Sequence, residues 1–231
     1  MRTLCSLLFV AALINVSAQN LKSGGVLKPE QAIMDIRHYT IALEVDPVQQ
    51  SIDGYTEIKL ITSQSTNVLL FDLVNLLPVS KVWVNKREQK FTHENDLIRI
   101  PLPSMLPAGK VLVKIQYGGK PGIATRPPWT GGFTWAKDST GNPWIAITCQ
   151  GEGAKIYYPC KDHPSDEPNE GADLIITVPK GLYVAGLGYF KRQQQKVIRA
   201  HFIGRQITPS TTTAFFLISE SIKWYHEPTL L

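Results

Sequence analysis

Long apolar runs, cysteines and helical patterns are all scarce in this sequence of 231 residues. After the first twenty residues no apolar run approaches the length of about 20 residues that a membrane-spanning helix needs, so we predict no membrane span. The three cysteines include Cys5 near the N-terminus, which leaves Cys149 and Cys160 as a single candidate pair in the rest of the chain. Basic residues outnumber acidic ones by 24 to 19 but form no dense stripe, which argues against binding of nucleic acid.

The first residues of the chain have the pattern of an export signal. Arg2 precedes the apolar stretch from Leu4 to Ile14, and Val16-Ser17-Ala18 provides the small residues of a cleavage site. We therefore predict a signal peptide over residues 1–18 and a periplasmic or extracellular protein, with an uncleaved anchor as the alternative. Residues 19–32 are polar, and we expect them to form a loose N-terminal segment.

Period-two alternation of apolar and polar residues dominates the chain from Arg37 onward, as in Tyr39, Ile41, Leu43 and Val45. No segment longer than about ten residues combines helical periodicity with capping residues. Short strands separated by Gly and Pro turns are typical of layered antiparallel sheets, so residues 33–195 are predicted to form an all-β, sandwich-like domain. The side chains predicted to be mostly buried are Tyr39, Leu43, Leu60, Phe71, Trp83, Leu112, Ile147 and Ile175.

The stretch from Cys149 to Pro168 concentrates charge and both remaining cysteines. A zinc site requires three or four converging ligands, whereas the prolines here force an extended path on which adjacent side chains diverge. A rigid corner is the favoured interpretation, with carboxylates that accept backbone N–H groups or pair with Lys155 and Lys161. Whether Cys149 and Cys160 form a disulfide is an open question, because sequence does not give the distance between them. The candidate ligands are Asp162, His163, Asp166 and Glu167.

Motifs of catalysis are missing from the printed sequence. His93-Glu94 and His226-Glu227 are not followed by the second histidine of H-E-x-x-H, and no nucleophile elbow or phosphate loop occurs. We therefore predict no catalytic residue and no metal ligand. Several aromatic residues could line a peptide or glycan groove, but packing between sheets is the more frequent role of such residues. They are Trp129, Phe133, Trp135, Trp144, Tyr157 and Tyr158.

Four segments together resemble the N-terminal β domain of the aminopeptidase N family of zinc metallopeptidases, in particular its exported bacterial members. The resemblance extends from about Ile36 to Val184. The segments that carry it are Ile36-Arg37-His38-Tyr39, Trp129-Thr130-Gly131-Gly132-Phe133-Thr134-Trp135, Gln150-Gly151-Glu152-Gly153-Ala154, and Pro159-Cys160-Lys161-Asp162 through Pro168.

This resemblance implies an accessory domain. In the family the zinc ligands and the general base lie in a second, helical domain. We therefore expect the full-length protein to bind zinc and a peptide substrate, and we expect this chain alone to bind no cofactor. The missing catalytic domain would be its natural packing partner. Gln150 occupies the position that lines the substrate cleft, and we predict it as a substrate-binding residue. Hydrogen bonding of Gln150 to the backbone alone is the alternative.

Two further hypotheses concern function and the C-terminal tail. The alternative function is a free-standing exported sandwich that binds peptide or glycan through the aromatic loop at residues 127–144. Residues 196–231 do not resemble the family and are expected to form an irregular tail. Allowed codons for Ile203 to Ala214 can spell H-W-Q-A-D-N-P-I-N-N-Y-G in the neighbouring frame, so we hypothesise a frame shift near codons 190–201.

Overall fold

A computed structural model describes residues 23–127, 129–149, 151–165 and 167–186, together with the backbone of three further strands. These parts of the chain are mostly β-strand, which confirms the predicted all-β class. No helix among them is long and apolar enough to cross a membrane. The elements in chain order are α1 (Pro29–Ala32), β1 (Met34–Asp46), β2 (Ser51–Thr62), β3 (Thr66–Asp72), β4 (Val79–Val84), β5 (Arg87–Glu88), β6 (Thr92–Glu94), β7 (Leu97–Leu106), β8 (Gly109–Gly119), β9 (Gly132–Lys137), β10 (Pro143–Thr148), a 3₁₀ helix (Ala154–Ile156), β11 (Ala172–Val178), β12 (Tyr183–Ala185), β13 (Tyr189–Arg192), β14 (Ile198–Gly204) and β15 (Leu217–Ser219).

The largest sheet has eight described strands in the order β13-β14-β11-β1-β2-β8-β4-β5. The long strands β1 and β2 form an antiparallel hairpin, and β11 joins the other side of β1 in parallel. At the hairpin turn the Asp46 carboxylate accepts the backbone N–H groups of Val48 and Gln49 at 2.8 and 2.9 Å. Such local capping by Asp favours a turn over continued strand.

Two smaller sheets pack against this one, with described strands in the orders β12-β15-β10-β9 and β3-β7-β6. The apolar faces of all three sheets join in one buried cluster. Between the largest sheet and the β9–β10 hairpin this packing leaves an apolar void of about 10 Å³, lined by residues from both sides. A void of that size is at most about one water, so the layers are closely packed.

All eight side chains predicted to be mostly buried are so: five are fully buried, and Trp83, Leu112 and Ile175 are partly buried on the outer faces of their strands. The reason is strand phase: Val82 and Val84 occupy the core face of β4, and Trp83 between them points the other way. On that outer face the Lys114 ammonium lies 3.7 Å from the ring centroid of Tyr55 and 6.0 Å from that of Trp83. The Lys114 ammonium thus makes a cation–π contact with Tyr55 and lies at the edge of that range from Trp83.

The described residues near both ends of the chain contact the rest of the domain. Residues 19–32 were predicted to form a loose segment; in its described part, Ser23 and Gln31 are buried and α1 lies against β3. Of residues 196–231, the predicted irregular tail, the structure describes two strands: β14 pairs antiparallel with β11, and β15 pairs with β10 and β12. Main-chain pairing at a sheet edge tolerates many sequences, so an unrelated segment can extend the sheet. The predicted signal peptide and the rest of the tail lie outside the described residues.

Candidate functional site

Two loops meet at the position predicted to face substrate. We call residues 129–132 the tryptophan loop and residues 149–153 the glutamate turn. Gln150, the predicted substrate-binding residue, lies outside the described residues, but both of its neighbours are described. The Gly153 N–H donates to the Cys149 carbonyl at 2.8 Å and closes the turn. A Cβ on Gly151 would lie 3.8 Å from the Trp129 carbonyl oxygen, so the two loops are in contact.

Glu152 joins the two loops through a single hydrogen bond. Its carboxylate oxygen Oε2 accepts the backbone N–H of Gly131 at 2.8 Å. Gly131 has no space for a side chain, since a Cβ there would lie 2.3 Å from Glu152 Oε2 and 2.4 Å from the Thr148 carbonyl oxygen. Glycine at position 131 therefore allows the close approach of the Glu152 carboxylate and the Thr148 carbonyl. Sequence reasoning missed Glu152 as a site residue, although it is the one carboxylate within the turn.

Gly153 ends the turn in a conformation that few other residues adopt, with φ +82° and ψ 169°. A Cβ at this position would lie 2.3 Å from Asp162 Oδ1 and 2.5 Å from Ser23 Oγ. The buried Asp162 carboxylate accepts the Ser23 hydroxyl at 2.8 Å, and Lys155 Nζ lies 3.1 Å from its other oxygen. Burial raises the pKa of Asp162, while the Ser23 hydroxyl and the Lys155 ammonium oppose that rise.

The second buried carboxylate belongs to Asp72 at the end of β3. It binds the segment that follows the glutamate turn, residues 159–165, which we call the corner. The Asp72 backbone pairs with that of Cys160, with N···O distances of 2.7 and 3.0 Å. Its carboxylate oxygen Oδ2 accepts the Asp162 N–H at 3.0 Å and also the Gln31 side-chain amide. Lys28 Nζ lies 3.5 Å from the other oxygen. The corner interpretation holds for Asp162 and Lys155, whereas Lys161 donates from Nζ to the Met34 carbonyl at 2.6 Å.

Of the other candidate ligands, the two that the structure describes, His163 and Glu167, form no metal-binding group with Asp162. His163 Nδ1 lies 2.7 Å from the Ser165 hydroxyl, Glu167 is exposed, and Asp166 lies outside the described residues. His93 on β6 contacts the Leu73 carbonyl at 2.9 Å through Nε2. Among the described residues no group of three or more His, Cys, Asp or Glu side chains is placed to hold a metal ion.

Cys149 and Cys160 are both buried, and no disulfide bond joins these two described residues. Burial raises the pKa of the Cys160 thiol well above its ordinary value, and the neighbouring Asp162 and Asp72 carboxylates add to this rise. A thiol with a raised pKa is a poor nucleophile, because the thiolate is the reactive form. The two residues therefore act as small apolar core side chains in this arrangement.

The aromatic residues near the site belong mostly to the core. Phe133 is buried and stacks on Trp135 with ring centroids 5.5 Å apart. Tyr157 and Tyr158 are buried and pack edge to face at 4.6 Å. Trp129 differs, since 72% of its surface is exposed beside the glutamate turn. Among the described residues the site thus offers one exposed aromatic side chain, that of Trp129, whose backbone lies beside Gly151.

No protein-family model and no curated protein matches the chain. Solved structures do match. An M1 zinc metallopeptidase from Deinococcus radiodurans, a mutant bound to a Tyr-Ser-Ala substrate, aligns with a TM-score of 0.66 and 21% identity over 82% of this chain and 43% of its own. A two-domain M1 zinc metallopeptidase bound to L-arginine gives a TM-score of 0.65 and 21% identity over 80% of this chain and 42% of its own.

Native leukotriene A4 hydrolase from Saccharomyces cerevisiae has the same fold over this region, with a TM-score of 0.62 and 18% identity over 81% of this chain and 29% of its own. The chain therefore spans less than half the length of each of these structures. The likeness confirms the fold that the sequence resemblance implied, a β domain of the kind found in M1 zinc metallopeptidases.

Proposed function

We propose that this chain is the N-terminal accessory domain of an exported zinc aminopeptidase, an enzyme that releases N-terminal amino acids from peptides. The domain supplies one wall of the substrate cleft, and zinc and the catalytic groups belong to a partner domain. The observation that supports this most strongly is the meeting of the tryptophan loop and the glutamate turn. Two segments that carry the family resemblance lie about 20 residues apart in the chain, yet one hydrogen bond joins them at 2.8 Å.

The chemistry of the glutamate turn suits the free amino group of a peptide. An ammonium group donates hydrogen bonds, and a carboxylate or an amide oxygen accepts them. Gln150 can supply a neutral acceptor, and Glu152 adds a negative charge two residues later. Because only Oε2 of Glu152 receives the Gly131 N–H, its second oxygen has capacity for a further donor. We assign the recognition of the substrate amine to these two residues together.

The first prediction concerns the DNA that adjoins the gene. We expect it to encode H-E-x-x-H in a frame that continues this domain, and the extended protein to hydrolyse aminoacyl-anilides in a zinc-dependent way. The chain of 231 residues alone should not do so. The measurement is anilide release with and without a chelator. If no frame encodes a zinc motif, the proposal fails in favour of a free-standing peptide- or glycan-binding sandwich, which would use the exposed Trp129.

The second prediction tests the amine site in the extended protein. Glu152→Gln keeps an oxygen for the Gly131 N–H but removes the charge, so we expect kcat/KM to fall about 10- to 100-fold, mostly through KM. Gln150→Ala should act in the same direction with a smaller effect, because it removes a neutral acceptor. Glu57→Gln, on the outer face of β2, is the matched control and should leave both constants unchanged. Equal kinetics for Glu152→Gln and wild type would remove Glu152 from the site.

A further inference from the structure

The described part of the N-terminal segment, residues 23–33, crosses from the start of β1 to the corner that follows the glutamate turn. We call it the strap. The Ile33 carbonyl accepts the Ser63 N–H at 2.8 Å, and Glu30 pairs with Arg99 of β7 at 2.6 Å. Ser23 and Gln31 have only 6% and 2% of their surface exposed. Burial of polar side chains is costly unless they are hydrogen-bonded, so their partners identify what the strap does.

Ser23 holds the strap to the glutamate turn itself. Its hydroxyl donates to Asp162 Oδ1 at 2.8 Å, and the same pair of side chains covers Gly153, the last residue of the turn. The next residue, Gly24, lies against the Pro164 ring, since a Cβ there would be 3.2 Å from Pro164 Cδ. Ser23 therefore contacts both Gly153 of the glutamate turn and Asp162 of the corner.

Gln31 holds the same corner from the other side. Its amide donates to Asp72 Oδ2, the oxygen that also accepts the Asp162 N–H at 3.0 Å. Ser23 thus binds the Asp162 side chain directly. Gln31 acts on the Asp162 backbone indirectly, through Asp72. With Lys155 at 3.1 Å from Oδ2, Asp162 has little freedom to move away from Gly153.

We propose that Ser23 and Gln31 are positioning residues for the glutamate turn, and that the strap thereby sets the place of Glu152 in the substrate cleft. The role in substrate binding rests on the proposed function, whereas the ordering of the turn by the strap does not. Neither side chain needs to touch substrate. Each acts through Asp162, which covers the residue that closes the turn.

Hydrogen exchange measured by mass spectrometry on the full chain tests the ordering. Ser23→Ala and Gln31→Met each remove one donor, and a hydrogen bond to a carboxylate is among the stronger ones in proteins. We expect exchange in peptides covering residues 149–165 to become about 10-fold faster in each variant. Peptides from β2 and β8 should exchange as in wild type. Ser80→Ala, an exposed serine that bonds the Gln116 carbonyl at 3.2 Å, is the matched control and should change neither region.

Two results would overturn the proposal: unchanged exchange at 149–165, or acceleration spread equally over β2 and β8, which would indicate general destabilisation.

A kinetic experiment separates positioning of the turn from an effect on stability alone. In the extended protein Ser23→Ala should raise KM about 5-fold and change kcat less than 2-fold, because the turn binds the substrate amine but performs no chemistry. Faster exchange at 149–165 with an unchanged KM would sink the link to substrate and leave the strap's ordering of the turn in place. If the extended protein has no peptidase activity, the proposed function fails on its own, and the exchange result still decides the strap.

Discussion

Gly153→Ala should destabilise the domain by about 3 to 5 kcal/mol, the sum of a backbone cost and a packing cost. The backbone lies at φ +82° and ψ 169°, a region that is essentially restricted to glycine and costs other residues about 1–3 kcal/mol. The added methyl would meet Asp162 Oδ1 at 2.3 Å and Ser23 Oγ at 2.5 Å. Both atoms belong to a buried hydrogen bond, so neither can withdraw without breaking it.

The chain provides a matched control in Gly141. It also has a positive φ, +91°, but a Cβ there would meet no atom within 4 Å. Gly141→Ala should therefore cost only the backbone term, about 1–2 kcal/mol. Urea unfolding of both variants gives the comparison through the denaturation midpoints. A Gly153→Ala variant no less stable than Gly141→Ala would show that the turn can relax away from Asp162.

The class of fold was accessible from sequence because it depends on local periodicity. Alternation along β1 and β2 places Tyr39 and Leu60 in the core, as predicted, and turn residues delimit the strands. Trp83 is partly buried and lies on the outer face of β4, while Val82 and Val84 lie in the core. Hydrophobicity alone favours the largest side chain, whereas strand geometry fixes only which residues share a face.

The site was less accessible because its contacts join residues that are far apart in the chain. Ser23 and Asp162 are separated by 139 positions, and Asp162 and Asp72 by 90. No local pattern marks such pairs, and the polar residues 19–32 were therefore predicted to form a loose segment. The segments that resemble the family located the site better than the chemistry of single residues did. Gly131, Glu152 and Gly153 belong to these segments, and the structure gives a steric or hydrogen-bonding role to each of them.

The described part of the tail shows that strands can pair without a sequence that resembles the family. We expected residues beyond about 195 not to complete the domain, since their side chains do not match the family. Strand β14 nevertheless pairs with β11 over residues 198–204. Backbone N–H and C=O groups provide that pairing whatever the side chains are, and β11 would otherwise present them unpaired at an edge. Sequence resemblance predicts side-chain packing better than it predicts which segment closes a sheet.

Asp72→Ala should cost about 3 to 5 kcal/mol, because three donors from different parts of the chain lose one acceptor. The Asp162 N–H and the Gln31 amide would stay buried without a partner, and each such group costs about 1–3 kcal/mol. Lys28, with 38% of its side chain exposed, can turn to water and should add little. The exposed ion pair of Asp35 with Arg37, at 3.3 Å, provides the control, and Asp35→Ala should cost less than about 1 kcal/mol. Thermal and urea unfolding measure both variants. Equal stability of the two variants would mean that the corner is held by the Asp72–Cys160 backbone pairing alone. A large difference would show that the Asp72 carboxylate stabilises the contact between the N-terminal segment, β3 and the corner.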